Sequence, residues 1–328
     1  MTKLSRTTNP SYSVTIGSQK FDVGSKPGKL VSVRVTLGIG LPTDRCEVLL
    51  THSDGYAFKK GDSVKVELGY DTDLKRVFSG LVEEIERLLS RVRVVALGFA
   101  VSLLRLRFNR VYLNQTAGKI VNSIAQEAKV KVKKAADGVN FPTYVVDAAT
   151  NAYEHVLKLA ERCNFDAYFT EDEQLVFKEW GGGKNILLQY GKEIMGVGSL
   201  HFSPLYAGTQ VYGESPSSMK GSDTSHWLTK QEVKAEAGTK TAFQMEDPAV
   251  RDKKTAETVA KAKTSKLGYT FGVAVEIVGS AGIRLGDTVT LKDVPIPNVG
   301  GQLEVRGVRH YLSKSNGFTT TINCWGRR

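Results

Sequence analysis

Five histidines, three cysteines and one close-set group of glutamates are the side chains here that could do chemistry, and none has the spacing that chemistry needs. His52, His155, His201, His226 and His310 are scattered, with no HxxxH or HExxH pair. A zinc site draws three or four ligands together, so packed or solvated histidines are expected instead. Cys46, Cys163 and Cys324 lie far apart in apolar surroundings and form no CxxC pair. They read as buried free thiols of a protein made in a reducing cytoplasm, not as a disulfide framework. Glu83, Glu84 and Glu86 sit on a strand, where solvated or cross-strand pairing roles are expected rather than a glycosidase couple. The run GGGKN at 181–185 lacks the four-residue interval and the Ser/Thr of a phosphate loop, and reads as a hairpin turn. There is no GxSxG nucleophile elbow. Asn114-Gln115-Thr116 fits a glycosylation sequon, but Thr116 is better explained as a helix cap. No catalytic, cofactor-binding or metal-binding residue is assigned, and no cofactor is expected.

The 328 residues are enough for two or three cores, and 41% hydrophobic with 24% charged residues is ordinary for a soluble globular chain. Lys and Arg outnumber Asp and Glu by 45 to 34, an excess that favours an acidic partner, nucleic acid or an anionic surface without identifying which. Arg105, Arg107 and Arg110 read as a strand-like alternation with Leu104, Leu106 and Phe108. Lys253, Lys254, Lys261, Lys263 and Lys266 decorate a later helix. Neither cluster has an aromatic platform or recognition helix beside it, so a solvated or partner-facing surface is expected and no specific nucleic acid. The first residues lack the apolar core of a signal peptide. The uncharged stretch 194–213 has the length of a membrane span, but its glycines, Ser203, Pro204 and Gln210 exclude one, so no membrane is expected.

Short strands punctuated by turns fill the first hundred residues. Val31, Val33, Val35 and Leu37 alternate with polar residues; Val64, Val66 and Leu68 follow Gly61-Asp62; Val92 and Val94 alternate with arginines. The pattern then changes. Thr116 caps a helix to about Lys129 with Ile120, Val121, Ile124, Ala125 and Ala128 on its stripe, and Lys129, Lys131 and Lys133 form a solvated strand face. Asn151 and Glu154 begin a second helix with Tyr153, Val156, Leu157 and Ala160 inside. Two strands follow around Glu171-Asp172. Residues 214–247 are polar and aperiodic, as in a functional or disordered loop. Asp247-Pro248 opens a third helix that stops at Gly268, and its thin apolar stripe predicts an exposed or partner-covered helix. Strands at 270–279, 286–294, 302–312 and 317–326 end the chain.

The two β-rich ends echo each other. FKKGDSVKVEL, FSGLVEEI and RVRVVAL near the start are matched in order by IRLGDTVTLKD, LEVRGVRH and FTTTINC near the end. The Gly-Asp-Ser/Thr-Val element recurs at Gly61–Val64 and Gly286–Val289, and Gly80 to Val94 spans the same interval as Gly307 to Thr321. A Gly-Asp pair supplies a turn whose carboxylate accepts backbone N–H groups before a strand. Two such units per chain let three chains present six similar units around an axis.

The run GDSVKVELGYDTDLKRVFSGLVEEIE resembles the signature of the phage late control D family, which includes the N-terminal hub part of VgrG spike proteins. RLRFNRVYLNQTAGKIVNSIAQEA, NAYEHVLKLAERCNFDAYFTEDEQLVF, GIRLGDTVTL and LEVRGVRHYL resemble that family's later segments in the same order, leaving out only 214–247. The resemblance implies an α+β, mainly β fold. A first tube-like β-barrel would occupy 1–106 and a small α+β domain 107–185. A second barrel would occupy 186–328, with a loop and helix insertion at about 214–268. It also implies a non-enzymatic baseplate hub of a contractile phage tail or injection system. Such a hub is a homotrimer joining a trimeric spike, here expected as a separate protein, to the hexameric tail tube or tube initiator. Wedge and tape-measure proteins would surround it in the virion or particle baseplate. A basic nucleic-acid-binding tail or virion protein is the alternative.

Overall fold

The computed structural model describes residues 9–24, 28–201, 205–214, 232–239, 242–296, 299 and 301–327. Seven strands form the first module: β1 (Pro10–Ile16), β2 (Gln19–Asp22), β3 (Leu30–Gly38), β4 (Arg45–Thr51), β5 (Ser63–Tyr70), β6 (Asp73–Arg87) and β7 (Arg91–Leu97). A middle unit follows, with α1 (Ala100–Arg105), β8 (Arg110–Thr116), α2 (Ala117–Glu127), β9 (Lys131–Ala135), β10 (Asn140–Val146), α3 (Ala152–Cys163), β11 (Asp166–Phe169) and β12 (Gln174–Lys178). The second module begins with β13 (Asn185–Gln189) and β14 (Ile194–His201). It is interrupted by β15 (Gly208–Gly213), β16 (Lys234–Gly238), β17 (Ala242–Asp247) and α4 (Lys253–Leu267). It resumes with β18 (Tyr269–Val278), β19 (Thr288–Lys292), β20 (Gln302–Ser313) and β21 (Gly317–Arg327). The molecule is thus mainly β, with two look-alike β modules on either side of a small α+β unit. Among the described residues no helix is long and apolar enough to cross a membrane.

The likeness of the modules reaches individual backbone atoms. Antiparallel neighbours run β3-β4-β7-β6-β5 in the first and β14-β18-β21-β20-β19 in the second. Each Gly-Asp turn closes the same way. Asp62 Oδ2 accepts from Lys59 N at 2.8 Å, and Asp287 Oδ2 from Arg284 N at 2.9 Å. Gly61 N donates to Val82 O and Val82 N to Asp62 O, while Gly286, Val305 and Asp287 repeat both bonds. Two β-bulges also coincide. Glu83 is skipped in the β6–β7 ladder as Arg306 is between β20 and β21, and Val31 is skipped between β3 and β4 as Met195 is between β14 and β18. A bulge costs a ladder position and re-aims a side chain, so two shared bulges in one strand order mark a common design.

These bulges correct the residue matching drawn from sequence. Glu83 corresponds to Arg306, which sets Glu84, not Gly80, opposite Gly307. The two glycines serve different ends. A Cβ on Gly80 would lie 2.3 Å from the Leu97 carbonyl oxygen, whereas one on Gly307 would meet the Asn323 side chain at 3.2 Å. Val31, placed by alternation among the inward residues, is half-buried at its bulge, and Leu30 takes the interior place.

The modules are also joined. Strand β3 pairs antiparallel with the second half of β20, from Gly307↔Gly38 to Ser313↔Ser32, so both contribute to one thirteen-stranded sheet. One apolar cluster runs through both modules, with Val33, Val35, Val48, Val94, Val275, Val305 and Ile322 among its members. A second lies under α2 and α3, where Ile120, Val121, Ile124, Val156 and Leu159 pack with Phe141 and Phe177. Both helices start at the expected caps. Thr116 Oγ1 accepts from Lys119 N, and Asn151 Oδ1 from Glu154 N. On α3, Leu157 is only half-buried and Leu159 fills the core. Lys131 and Lys133 are exposed on β9 as expected, but Lys129 lies at the helix exit with φ of +56°.

Other expectations do not survive. The arginine-leucine alternation after residue 100 is not a strand: Ala100–Arg105 is helical because Ala100 and Leu103, one turn apart, both enter the middle core. GGGKN is not a hairpin turn but the link from β12 to β13, whose strand partner is β19. The polar stretch 214–247 is not all loop. Strands β16 and β17 flank β15 in a three-stranded sheet, while 215–231 lie outside the described residues. Helix α4 begins after Asp252, whose carboxylate caps Thr255 N at 2.9 Å, and not at Asp247-Pro248. Its thin stripe is covered within the chain, where Ala256, Val259 and Ala260 pack with Val211, Val233 and Val250.

Both turn glycines hold left-handed φ angles, +89° at Gly61 and +80° at Gly286. A Cβ on Gly61 meets nothing, while one on Gly286 comes within 2.8 Å of the Tyr168 hydroxyl. Gly61→Ala should cost about 1–2 kcal/mol from backbone strain alone, and Gly286→Ala measurably more. Denaturant unfolding of the two variants checks this, and equal losses would contradict it.

Candidate assembly surface

The junction of β3 and β20 has two faces because successive side chains in a strand point opposite ways. Val33, Val35, Leu37, Val308, His310 and Leu312 are buried on one face. On the other, Arg34 stacks over the ring of its cross-strand partner Tyr311 at 5.3 Å, a cation–π contact. Arg45, Glu47, Glu276 and Arg309 join them around a shallow polar hollow of about 430 Å³ that spans both modules. Arg93 bridges three strands of this face, reaching Glu47 at 3.1 Å, Glu86 at 3.3 Å and Glu84 at 3.7 Å. Its hydrogen bond holds the Glu47 carboxyl below the usual range. The face offers a broad field of fixed charges of both signs and no convergent reactive group.

The Glu83 and Arg306 bulges aim their side chains at the middle unit. Glu83 holds Arg105 of α1 at 2.7 Å and Lys60 at 2.6 Å. Its counterpart Arg306 reaches Asp166 of β11 at 3.1 Å and Glu304 at 2.8 Å. Between them the β11–β12 hairpin touches both modules. Glu171 receives Arg284 Nε at 2.7 Å and Asp172 receives Arg76 at 3.1 Å, while Arg284 also donates to the Arg76 carbonyl. A further buried pair holds the inserted unit. Arg162 of α3 grips Asp247 with both Nε and Nη2, at 2.5 and 2.7 Å. Bidentate geometry of this kind fixes orientation as well as charge.

The chemistry-bearing residues found in sequence do not converge. Among the described residues no three His, Cys, Asp or Glu side chains gather as a metal site would require. His155 is buried against Thr150 Oγ1 and Tyr144, and burial lowers its pKa. His310 is buried against Thr320 Oγ1 and is pushed down to about 3. His52 is near Asp54, and His201 lies beside Phe271 on β14. His226 is outside the described residues. Cys46 and Cys324 are buried free thiols, while Cys163 is half-buried and accepts from Val139 N. Arg105, Arg107 and Arg110 are tied to Glu83, to the carbonyls of Ala148 and Ala149, and to Glu127. Lys263 and Lys266 reach Glu161 and the Phe165 carbonyl. Sequence reading missed Asp166, Glu304, Arg306 and the Arg162–Asp247 pair. Arg162 and Asp247 lie 85 residues apart and Asp166 and Arg306 lie 140 apart, while Glu304 is read only through its contacts with Arg306 and Tyr269 in the fold.

Glu304 is fully buried, accepts from Arg306 and from the Tyr269 hydroxyl, and lies near Asp166. Burial, then the Asp166 charge, raise its pKa. A carboxyl raised on folding favours the protonated native state, so its contribution is complete below the unfolded value. That contribution fades as pH climbs through the raised one. Burial moves this carboxyl up to about 7, so the parent chain should lose stability between about pH 4.5 and 7, and Glu304→Gln should flatten that loss. Denaturation midpoints across that range test it, and parallel profiles would contradict it.

No protein-family model matches the sequence and no curated protein matches it. Solved structures do match the fold. A 43 kDa tail protein of prophage MuSo2 from Shewanella oneidensis superposes with a TM-score of 0.72 at 13% identity, covering 96% of this chain and 98% of that one. A tail protein from Neisseria meningitidis gives 0.69 at 13% identity, over 97% of each chain. An Escherichia coli type VI secretion component, described as similar to the T4 tail proteins gp27 and gp5, gives 0.61 at 12% identity. It covers 95% of this chain and 76% of its own. The chain therefore shares its fold, over almost its whole length, with phage tail proteins and with a type VI secretion component, in keeping with the resemblance to the late control D and VgrG hub family.

Proposed function

We propose that this chain is a structural baseplate hub of a contractile phage tail or a phage-derived injection system. Three copies would form a pseudo-sixfold collar between a trimeric spike and the hexameric tail tube. The observation that carries this reading is the doubled module, with one strand order, one Gly-Asp turn and two coincident bulges repeated within a fold shared with tail proteins. One chain with two equivalent units is what a threefold object needs to meet a sixfold one. The polar outer face of the fused sheet, with fixed charges of both signs spread over several strands, suits a collar wall. The proposal includes a non-catalytic role, contacts with a spike, the tube or its initiator, wedge and tape-measure proteins, and residence in the tail baseplate. It also keeps the three-part division expected at 1–106, 107–185 and 186–328, except that α1, whose Ala100 and Leu103 enter the middle core, moves the first boundary back to about residue 99.

The nucleic-acid-binding alternative has less support, since the arginine cluster after residue 104 is spent on contacts within the chain. Native mass spectrometry of the protein, alone and with its spike partner, tests the hub reading. Three copies per particle are expected. Stacked rings of six identical chains would contradict it.

A further inference from the structure

Equivalent modules have equivalent edges, and one of those edges is already in use. In the second module the free side of β20, from Gly307 onward, takes β3 as its neighbour. Counted from the shared bulge, the counterpart of that edge is the second half of β6, beginning at Glu84. Counted from the other shared bulge, the counterpart of β3 is β14. Neither counterpart has a strand on that side among the described residues. The β5 ladder leaves β6 at Ser63↔Leu81, and β14 has β18 as its strand partner, with a single bridge from Tyr190 at Ile194, the far end from residues 197–201.

Apolar side chains stand in water along both open edges. Leu88 and Leu89, at the tip beyond β6, are 45% and 102% exposed; Met195 and Leu200, on β14, are 59% and 67% exposed. An unpaired strand edge with exposed apolar residues is a template for another strand. We infer that β14 of one copy pairs antiparallel with the second half of β6 in the next copy, repeating between chains the junction that β3 and β20 make within one. The occupant of each edge is a second copy of this chain, because the other edge, in the matching register, is supplied by the same sequence.

The register follows from the internal junction. Val308↔Leu37, Arg309↔Thr36 and His310↔Val35 translate into Ile85↔His201, Glu86↔Leu200 and Arg87↔Ser199. The ladder is shorter than its model because β6 ends at Arg87, and Leu88 and Leu89 then cover Gly198 and Val197. Two different edges meet, so the contact is head-to-tail and closes into a ring when its rotation allows. The inference rests on the hub reading and supplies the surface that builds the collar.

Opposed Cα atoms in an antiparallel ladder lie about 4.5–5.5 Å apart, within disulfide reach. Glu86→Cys combined with Leu200→Cys, oxidised mildly, should link most of the protein into covalent species of several chains. Each single variant, and the out-of-register pair Glu86→Cys with Gly196→Cys, should stay unlinked on a non-reducing gel. Native mass is measured on the same samples. If closed oligomers form but the in-register pair links no better than the control, this pairing is wrong and the hub reading stands. If the chain stays monomeric and unlinked at every concentration up to the millimolar range, self-association through these edges is overturned. Linkage that yields only an internally bridged monomer overturns it as well.

Discussion

The pairing of β3 with β20 is the constraint on which the rest of the molecule depends. Seven residue pairs carry the sheet from one module into the other. Strand pairing allows no gradual slippage, because a shift of one residue would turn Val33, Val35 and Leu37 out of the core and Arg34 and Thr36 into it. Relative placement of the modules is therefore fixed by the hydrophobic pattern of a single strand. The common apolar cluster follows from this, as does the continuous polar face on the other side of the sheet.

Onto that frame the bulges attach the middle unit. A bulge turns one side chain out of the ladder, and at one of the two shared bulges in each module the released residue is charged: Glu83 in the first, Arg306 in the second. The opposite signs suit opposite partners, Arg105 on α1 and Asp166 on β11. Buried ion pairs of the Arg306–Asp166 and Arg162–Asp247 kind add little net stability, since desolvation offsets much of their attraction. Their geometric demand is severe, however, and it specifies how the middle and inserted units sit. The same site carries a cost in Glu304, a buried carboxyl placed near a second one.

Much of this was legible in the chain, and what was not has a physical reason. Period-two alternation marked β3, β5 and β7, and the caps Thr116 and Asn151 marked α2 and α3, because these signals are local. The Gly-Asp turns announced the duplication for the same reason. Residue-level equivalence was misread because bulges leave no sequence mark: Gly80 and Gly307 look alike, but the skipped Glu83 and Arg306 set the register. Helix α1 was mistaken for a strand because Leu104, Leu106 and Phe108 happen to alternate with arginines, while the deciding burial of Ala100 and Leu103 is tertiary. Helix α4 looked too thinly apolar to be packed, but its small residues allow close approach to the short sheet beneath it. The Arg162–Asp247 and Arg306–Asp166 pairs join residues 85 and 140 positions apart, beyond any local pattern.

A fused sheet should open as one cooperative unit, since its two halves share strands and core. Native-state amide hydrogen exchange of the intact chain tests this most directly, with the β3 and β20 residues of the junction as the probe. The account predicts that amides of residues 32–38 and 307–313 engaged in the junction exchange only through global unfolding, as slowly as those at the centre of the β20–β21 ladder. Junction amides that exchange as fast as those on the open edge of β14, while each module's interior stays protected, would show two independent modules and contradict it.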